Sequence, residues 1–213
     1  VIPVALTRLL LKEDYGSYQQ LIMVYSIIQA ILLLGIPQSL LYYYPRSEKE
    51  NHSLLIKQTW NIIAYSAIFV IIATWGGSEL MKDLFPGHHL QPFIFLIGLY
   101  TGIMLLVMPL QNLLVVEGKE SLAMQCMIGF TVIDIIVLPS AAWFNPSTLG
   151  MVHGIIATAI LKAVIVLGYV YSNYLNNTHI GKTYYKEQLA YGIPVGLTAM
   201  IGIIKRCSSL DAV

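Results

Sequence analysis

Long apolar stretches alternate with short polar connections along the whole chain. Residues 17–45, 58–78 and 91–116 contain no Asp, Glu, Lys or Arg, while residues 122–144 contain only Asp134 and residues 150–174 only Lys162. A sixth stretch starts near Leu189 and reaches Lys205 and Arg206, and residues 1–11 read as the closing part of a further helix. About 20 apolar residues cross the hydrocarbon core of a bilayer as a helix. A membrane β-barrel would instead alternate apolar and polar residues one by one. With no water to satisfy the backbone inside lipid, long continuous apolar runs must be helical. The pattern therefore predicts an all-α, polytopic transmembrane helical bundle. Pro37, Pro109 and Pro139 fall inside apolar stretches and are expected to kink their helices, because each lacks the N–H that the turn requires.

Composition agrees with this reading. Of 213 residues 57% are hydrophobic and 11% charged, against roughly a quarter charged in a soluble domain. The formal net charge of +1 gives no reason to expect a nucleic-acid partner. Cys126 and Cys207 lie far apart in apolar sequence without metal-ligand spacing, so they read as helix-packing residues. The chain starts at Val1 inside apolar sequence and ends at Val213 without a polar tail. It reads as cut within helices at both ends, with no signal-peptide pattern at its start.

If the helices alternate in direction, the connections fall into two sets. One carries Arg46, Lys49, Lys57, Lys119, Lys182 and Lys186, and the other Arg8, Lys12 and Lys82. The positive-inside rule places the first set in the cytoplasm. The sequons at Asn51 and Asn176 then face the cytoplasm and read as chance matches. Tyr42, Tyr43 and Tyr44 read as an interfacial aromatic belt. Residues 173–188 form the longest polar stretch and are the best candidate for a linker.

A charge at mid-membrane is costly, so each one needs a partner or a path to water. Asp134 lies 13 residues before Ser147 and Lys162 lies 15 after it. At 1.5 Å per residue the two differ in depth by roughly 3 Å, so they can meet if their helices are antiparallel neighbours. Two readings stay open. The charges form a structural ion pair, or Lys162 faces a central cavity and binds an anionic head group, with Asp134 orienting it or taking a coupling proton. Lys205 and Arg206 lie roughly 16 Å past Pro194 along a helix. They suit a pyrophosphate, Arg as a planar fork and Lys as a point charge, or they snorkel to an interface. Arg8 and Lys12 are either interfacial or at a cavity mouth. His88 and His89 are adjacent and lack a third ligand, so no metal is assigned. No phosphate-binding glycine loop, HExxH or Ser/His/Asp set stands in the sequence, and no cofactor is expected. Any energy the protein uses would then come from an ion gradient, the membrane potential or substrate supply.

Three segments resemble the polysaccharide biosynthesis flippases, exporters of lipid-linked O-antigen and capsule repeat units. The first runs over residues 6–46. Arg8, Leu9, Leu10, Glu13, Tyr15, Gly16 and Tyr18 follow that family's R-L-L-x-x-E-x-Y/F-G-x-Y pattern, and Gly35, Gln38 and Leu40 its G-x-x-Q-x-L element. The second, LLVVEGKES at 113–121, is similar to the turn between the family's fourth and fifth helices. The third, YGIPVGLTAM at 191–200, resembles the Y-G-x-P opening of its seventh helix. The resemblance implies a transporter rather than an enzyme, sited in the bacterial cytoplasmic membrane. A first lobe would span 1–176, a cytoplasmic linker 177–188 and the start of a second lobe 189–213. It also implies a lipid-linked oligosaccharide as substrate, with membrane lipids and polysaccharide polymerase machinery as partners. Substrate-binding candidates are Lys162, Lys205, Arg206 and Arg8, with Asp134 as a coupling or ion-pair residue. A cation-coupled multidrug antiporter of the same superfamily and a membrane-embedded transferase remain as alternatives.

Overall fold

The computed structural model describes residues 2–33, 35–76, 93–175 and 184–210. Among them every regular element is helical. Helix α1 spans Ile2–Leu9, α2 Lys12–Leu33, α3 Ile36–Tyr43 and α4 His52–Gly76. Helix α5 spans Ile94–Val107, α6 Pro109–Val116, α7 Glu120–Phe144, α8 Thr148–Val170 and α9 Tyr185–Leu210. Among the described residues five stretches are long and apolar enough to cross a membrane: Lys12–Leu33, Lys49–Gly76, Ile94–Val116, Glu120–Phe144 and Thr148–Tyr174. The chain is an all-α, polytopic membrane bundle. Lys82, His88 and His89 lie outside the described residues.

Local chemistry sets the helix ends. Glu13 and Asp14 stand in the first turn of α2, where carboxylates offset the positive end of the helix dipole. Gly35 adopts φ 65° between α2 and α3, a left-handed conformation that favours glycine, and Pro37 follows in the first turn of α3. Pro109 opens α6 after a one-residue interruption at Met108. Thus two of the three prolines start a new helical segment, where their missing N–H has no intrahelical partner to lose, whereas Pro139 stands inside α7 without ending it. The turn from α6 to α7 is a Schellman cap. Gly118 sits at φ 72°, its N–H bonds the Val115 carbonyl at 3.0 Å, and the Lys119 N–H bonds Leu114 at 2.8 Å.

Helix α8 is the centre of the bundle. Within its span 61% of the most apolar window is buried, against 11% for α7, which therefore lies at the rim. Helix α8 packs on α5 and α7, α5 on α4, α1 on α7, and α3 on α6 and α9. Leu6, Tyr18, Tyr25, Tyr100, Met151, Ile155 and Ala159 belong to one core cluster. Leu40, Leu55, Ile56, Leu113, Leu114 and Val166 belong to another. Tyr65, Phe69, Trp75, Trp143 and Phe144 face outward. Apolar exposure on this scale requires lipid to cover it.

Candidate functional site

Lys162 and Asp134 meet near the middle of the bundle. Both stand near the midpoints of their helices, α8 and α7, which run antiparallel from the turn at residues 145–147. The Lys162 ammonium donates to both carboxylate oxygens of Asp134, at 2.6 and 2.7 Å. Its side chain is 9% exposed and that of Asp134 27%. Lys162 follows Ile155 and Ala159 along the buried face of α8. The ring of Phe130, one turn before Asp134, lies 6.0 Å from the ammonium. Removing two charges from water is expensive, and a bidentate geometry is the arrangement that offsets most of that cost. Chemically, the pair holds a cation and an anion between two apolar helices with no net charge, and the Asp134 side chain stays partly exposed.

Aromatic hydroxyls gather on the same side. Tyr18 and Tyr100 lie within electrostatic reach of Asp134, and the rings of Tyr100 and Tyr25 sit 4.6 Å apart. All three tyrosines are buried. Tyr18 closes the R-L-L-x-x-E-x-Y/F-G-x-Y pattern of the first resembling segment, a position that the sequence marked without showing which way it faced.

The other candidates do not join this pair. Arg8 is exposed in the last turn of α1. Lys205 and Arg206 lie in the closing turns of α9, and their side chains fall outside the described residues.

Two further polar centres went unread in the sequence. At the end of the bundle nearest Ser147, Asp14 Oδ1 accepts from the Thr148 amide at 2.9 Å and from its hydroxyl at 2.6 Å. The N-cap Ser147 accepts from the Gly150 amide at 3.2 Å. Two side chains thereby satisfy two of the free amides that begin α8, those of Thr148 and Gly150. At the opposite end, Glu117 Oε1 accepts from the Tyr174 hydroxyl and, at 3.5 Å, from that of Tyr44. Lys119 lies 2.9 Å from Glu117 Oε2. The Glu117 hydrogen bond is the main reason that the Lys119 ammonium titrates above the usual lysine range.

The tyrosine run contacts protein rather than solvent alone. The Tyr43 hydroxyl donates to the Glu187 carbonyl at 3.1 Å. Tyr42 stacks on Tyr191 with 4.8 Å between centroids, and the Arg46 guanidinium lies 4.0 Å above the Tyr42 ring. No periodicity signal could have revealed these contacts, since their partners lie more than a hundred residues away in sequence for Tyr43 and Tyr42.

Comparison with curated proteins yields no match, and comparison with solved structures yields none. A family model described as "Polysaccharide biosynthesis protein" matches residues 1–209. Because that match takes in nearly the whole chain, the protein belongs to the polysaccharide biosynthesis protein family.

Proposed function

We propose that the chain forms the first lobe, 1–176, the linker, 177–188, and the opening of the second lobe, 189–213, of a transporter. That transporter moves a lipid-linked polysaccharide repeat unit across the bacterial cytoplasmic membrane. The observation that carries this reading is the family match over residues 1–209 in a chain with five membrane-crossing stretches. A lipid-linked repeat unit carries an anionic phosphate linkage between its lipid and its sugars. Translocating it needs cationic groups held charged inside the bilayer. Lys162 is such a group, buried near the middle of α8 with the Asp134 carboxylate 2.6 Å away. In this mechanism an approaching phosphate competes with Asp134 for the ammonium from the side where the Asp134 side chain is partly exposed. Lys205, Arg206 and Arg8 would add further cationic contacts, and the two lobes would rock about the site to alternate access.

The test is deletion of the whole gene. Loss of surface polymer, with lipid-linked repeat units accumulating on the cytoplasmic side, supports the reading. Intact polymer with new sensitivity to cationic drugs supports the antiporter instead, and incomplete repeat units support a transferase. Joint replacement of Lys162, Lys205 and Arg206 by Ala tests the cationic contacts, and unimpaired export would refute them. The near-complete burial of Lys162 favours a second reading of the pair itself, in which it only joins α7 to α8.

A further inference from the structure

The first turns of α9 are held on the preceding helices by buried polar contacts. Gln188 is fully buried, and its Nε2 donates to Thr59 Oγ1 at 3.1 Å and to the Leu55 carbonyl at 3.4 Å. Buried Gln58 accepts from the Tyr184 amide at 2.6 Å through Oε1. Asn61 Nδ2 donates to the Tyr185 hydroxyl at 3.2 Å, and Tyr43 bonds the Glu187 carbonyl. One turn further on, Tyr191 stacks on Tyr42 and meets Tyr43 edge-on. Next, α9 crosses the α2–α3 break so closely that a Cβ on Gly35 would lie 2.7 Å from the Gly192 carbonyl. Among the described residues, the polar contacts of α9 with the preceding helices end there. Pro194 follows inside the helix and cannot supply an N–H to the preceding turn, which makes it the weakest point of the helix backbone.

Buried amides and hydroxyls that lose their partners away from water cost several kcal/mol each. Breaking all of these contacts in every transport cycle would raise the barrier by the sum of those costs. We propose that residues 184–192 stay docked on α3 and α4 and move with the first lobe, and that α9 flexes at Pro194 when the lobes change their relation. This rests on the two-lobe reading above. It moves the mechanical boundary between the lobes from the polar linker into α9.

The test uses the whole transporter in membranes, with Cys126 and Cys207 replaced by Ser. Tyr42→Cys and Tyr191→Cys are joined by a short bifunctional methanethiosulfonate. The expected result is a high yield of cross-link with export retained, while Pro194→Ala lowers export about tenfold without changing the cross-link. Loss of export on cross-linking would make the contact a gate that must open, and unchanged export in Pro194→Ala would remove the hinge. Either result overturns the proposal. Spin labels on Gln38 and Lys186, both exposed, give a readout that does not depend on transport. A single narrow distance is expected, and two populations would refute docking. Failure of the flippase reading would appear separately, as intact export in the deletion strain, and the label distances would still decide the docking.

Discussion

Lys162 reaches both oxygens of Asp134, from one helix to its antiparallel neighbour, with its own side chain buried and that of Asp134 partly exposed. Breaking such a pair from one side leaves an uncompensated charge inside the bundle, whereas removing both charges does not. Lys162→Met or Asp134→Asn alone is therefore expected to cost about 3–5 kcal/mol. The Asp134 variant should fall toward the lower end, because the Asp134 side chain is partly exposed. The double variant should recover most of the loss. Thermal unfolding of detergent-purified protein checks this. A loss in the double variant equal to the sum of the two single losses would show that the charges contribute nothing as a pair. Export by a stable double variant then separates the two readings of the site, since a purely structural pair predicts normal export and a phosphate-binding lysine predicts none.

How much of this was legible in the sequence follows from what kind of information each feature uses. The helices were, because lipid imposes a length and a composition on each one separately. The approach of Asp134 to Lys162 was also within reach, because a short turn at residues 145–147 fixes both depths by counting from one point. Asp14 and Thr148 are different. They lie 134 positions apart, and neither residue type signals a distant partner. Asp14 at the start of α2 already had a local explanation as a dipole partner. The same holds for Gln58 and Gln188. Each looks like an ordinary polar residue near a membrane interface until the packing of α9 is known.

Asp14 should behave as a tertiary cap. Asp14→Ala removes both bonds to Thr148 and leaves the Thr148 hydroxyl and amide, which are largely buried, without that acceptor. The expected loss is about 1–2 kcal/mol, the usual range for losing a cap. Asp14→Asn keeps an acceptor but loses its charge, so it should lose less. Hydrogen exchange at the first turn of α8 reads the effect directly. Faster exchange there in Asp14→Ala, with little change elsewhere, is the expected pattern, and unchanged exchange would mean that Ser147 alone suffices.

Glu117 joins the α6–α7 turn to the end of the fifth membrane-crossing stretch through Tyr174 and to the end of α3 through Tyr44. Hydrogen bonds to a charged acceptor contribute about 1.5–3 kcal/mol, more than neutral ones. Tyr174→Phe should accordingly destabilise by about that amount, and Tyr44→Phe, at 3.5 Å, by less. In a double-mutant cycle with Glu117→Gln, the Tyr174 effect should shrink, because part of it depends on the carboxylate charge. Strict additivity of the two substitutions would show that they act independently.

The α4–α5 contact depends on the absence of a side chain at Gly98. A Cβ placed there would lie 1.9 Å from Thr74 Oγ1 and 2.6 Å from Thr74 Cβ. Thr74 is itself buried and donates to the Val70 carbonyl at 2.8 Å, so it cannot simply swing aside. Even Gly98→Ala must push the two helices apart, at a cost of about 1–3 kcal/mol for an overpacked core. Gly98→Val should prevent accumulation of folded protein in the membrane. Thr74→Ala removes the hydroxyl and methyl that the new group meets but leaves Cβ in place, so it should rescue Gly98→Ala only partly. Melting temperatures of the two singles and the double measure this. A Gly98→Ala protein as stable as the parent would mean that α4 and α5 are able to separate without loss, and that their close approach does not hold the bundle together.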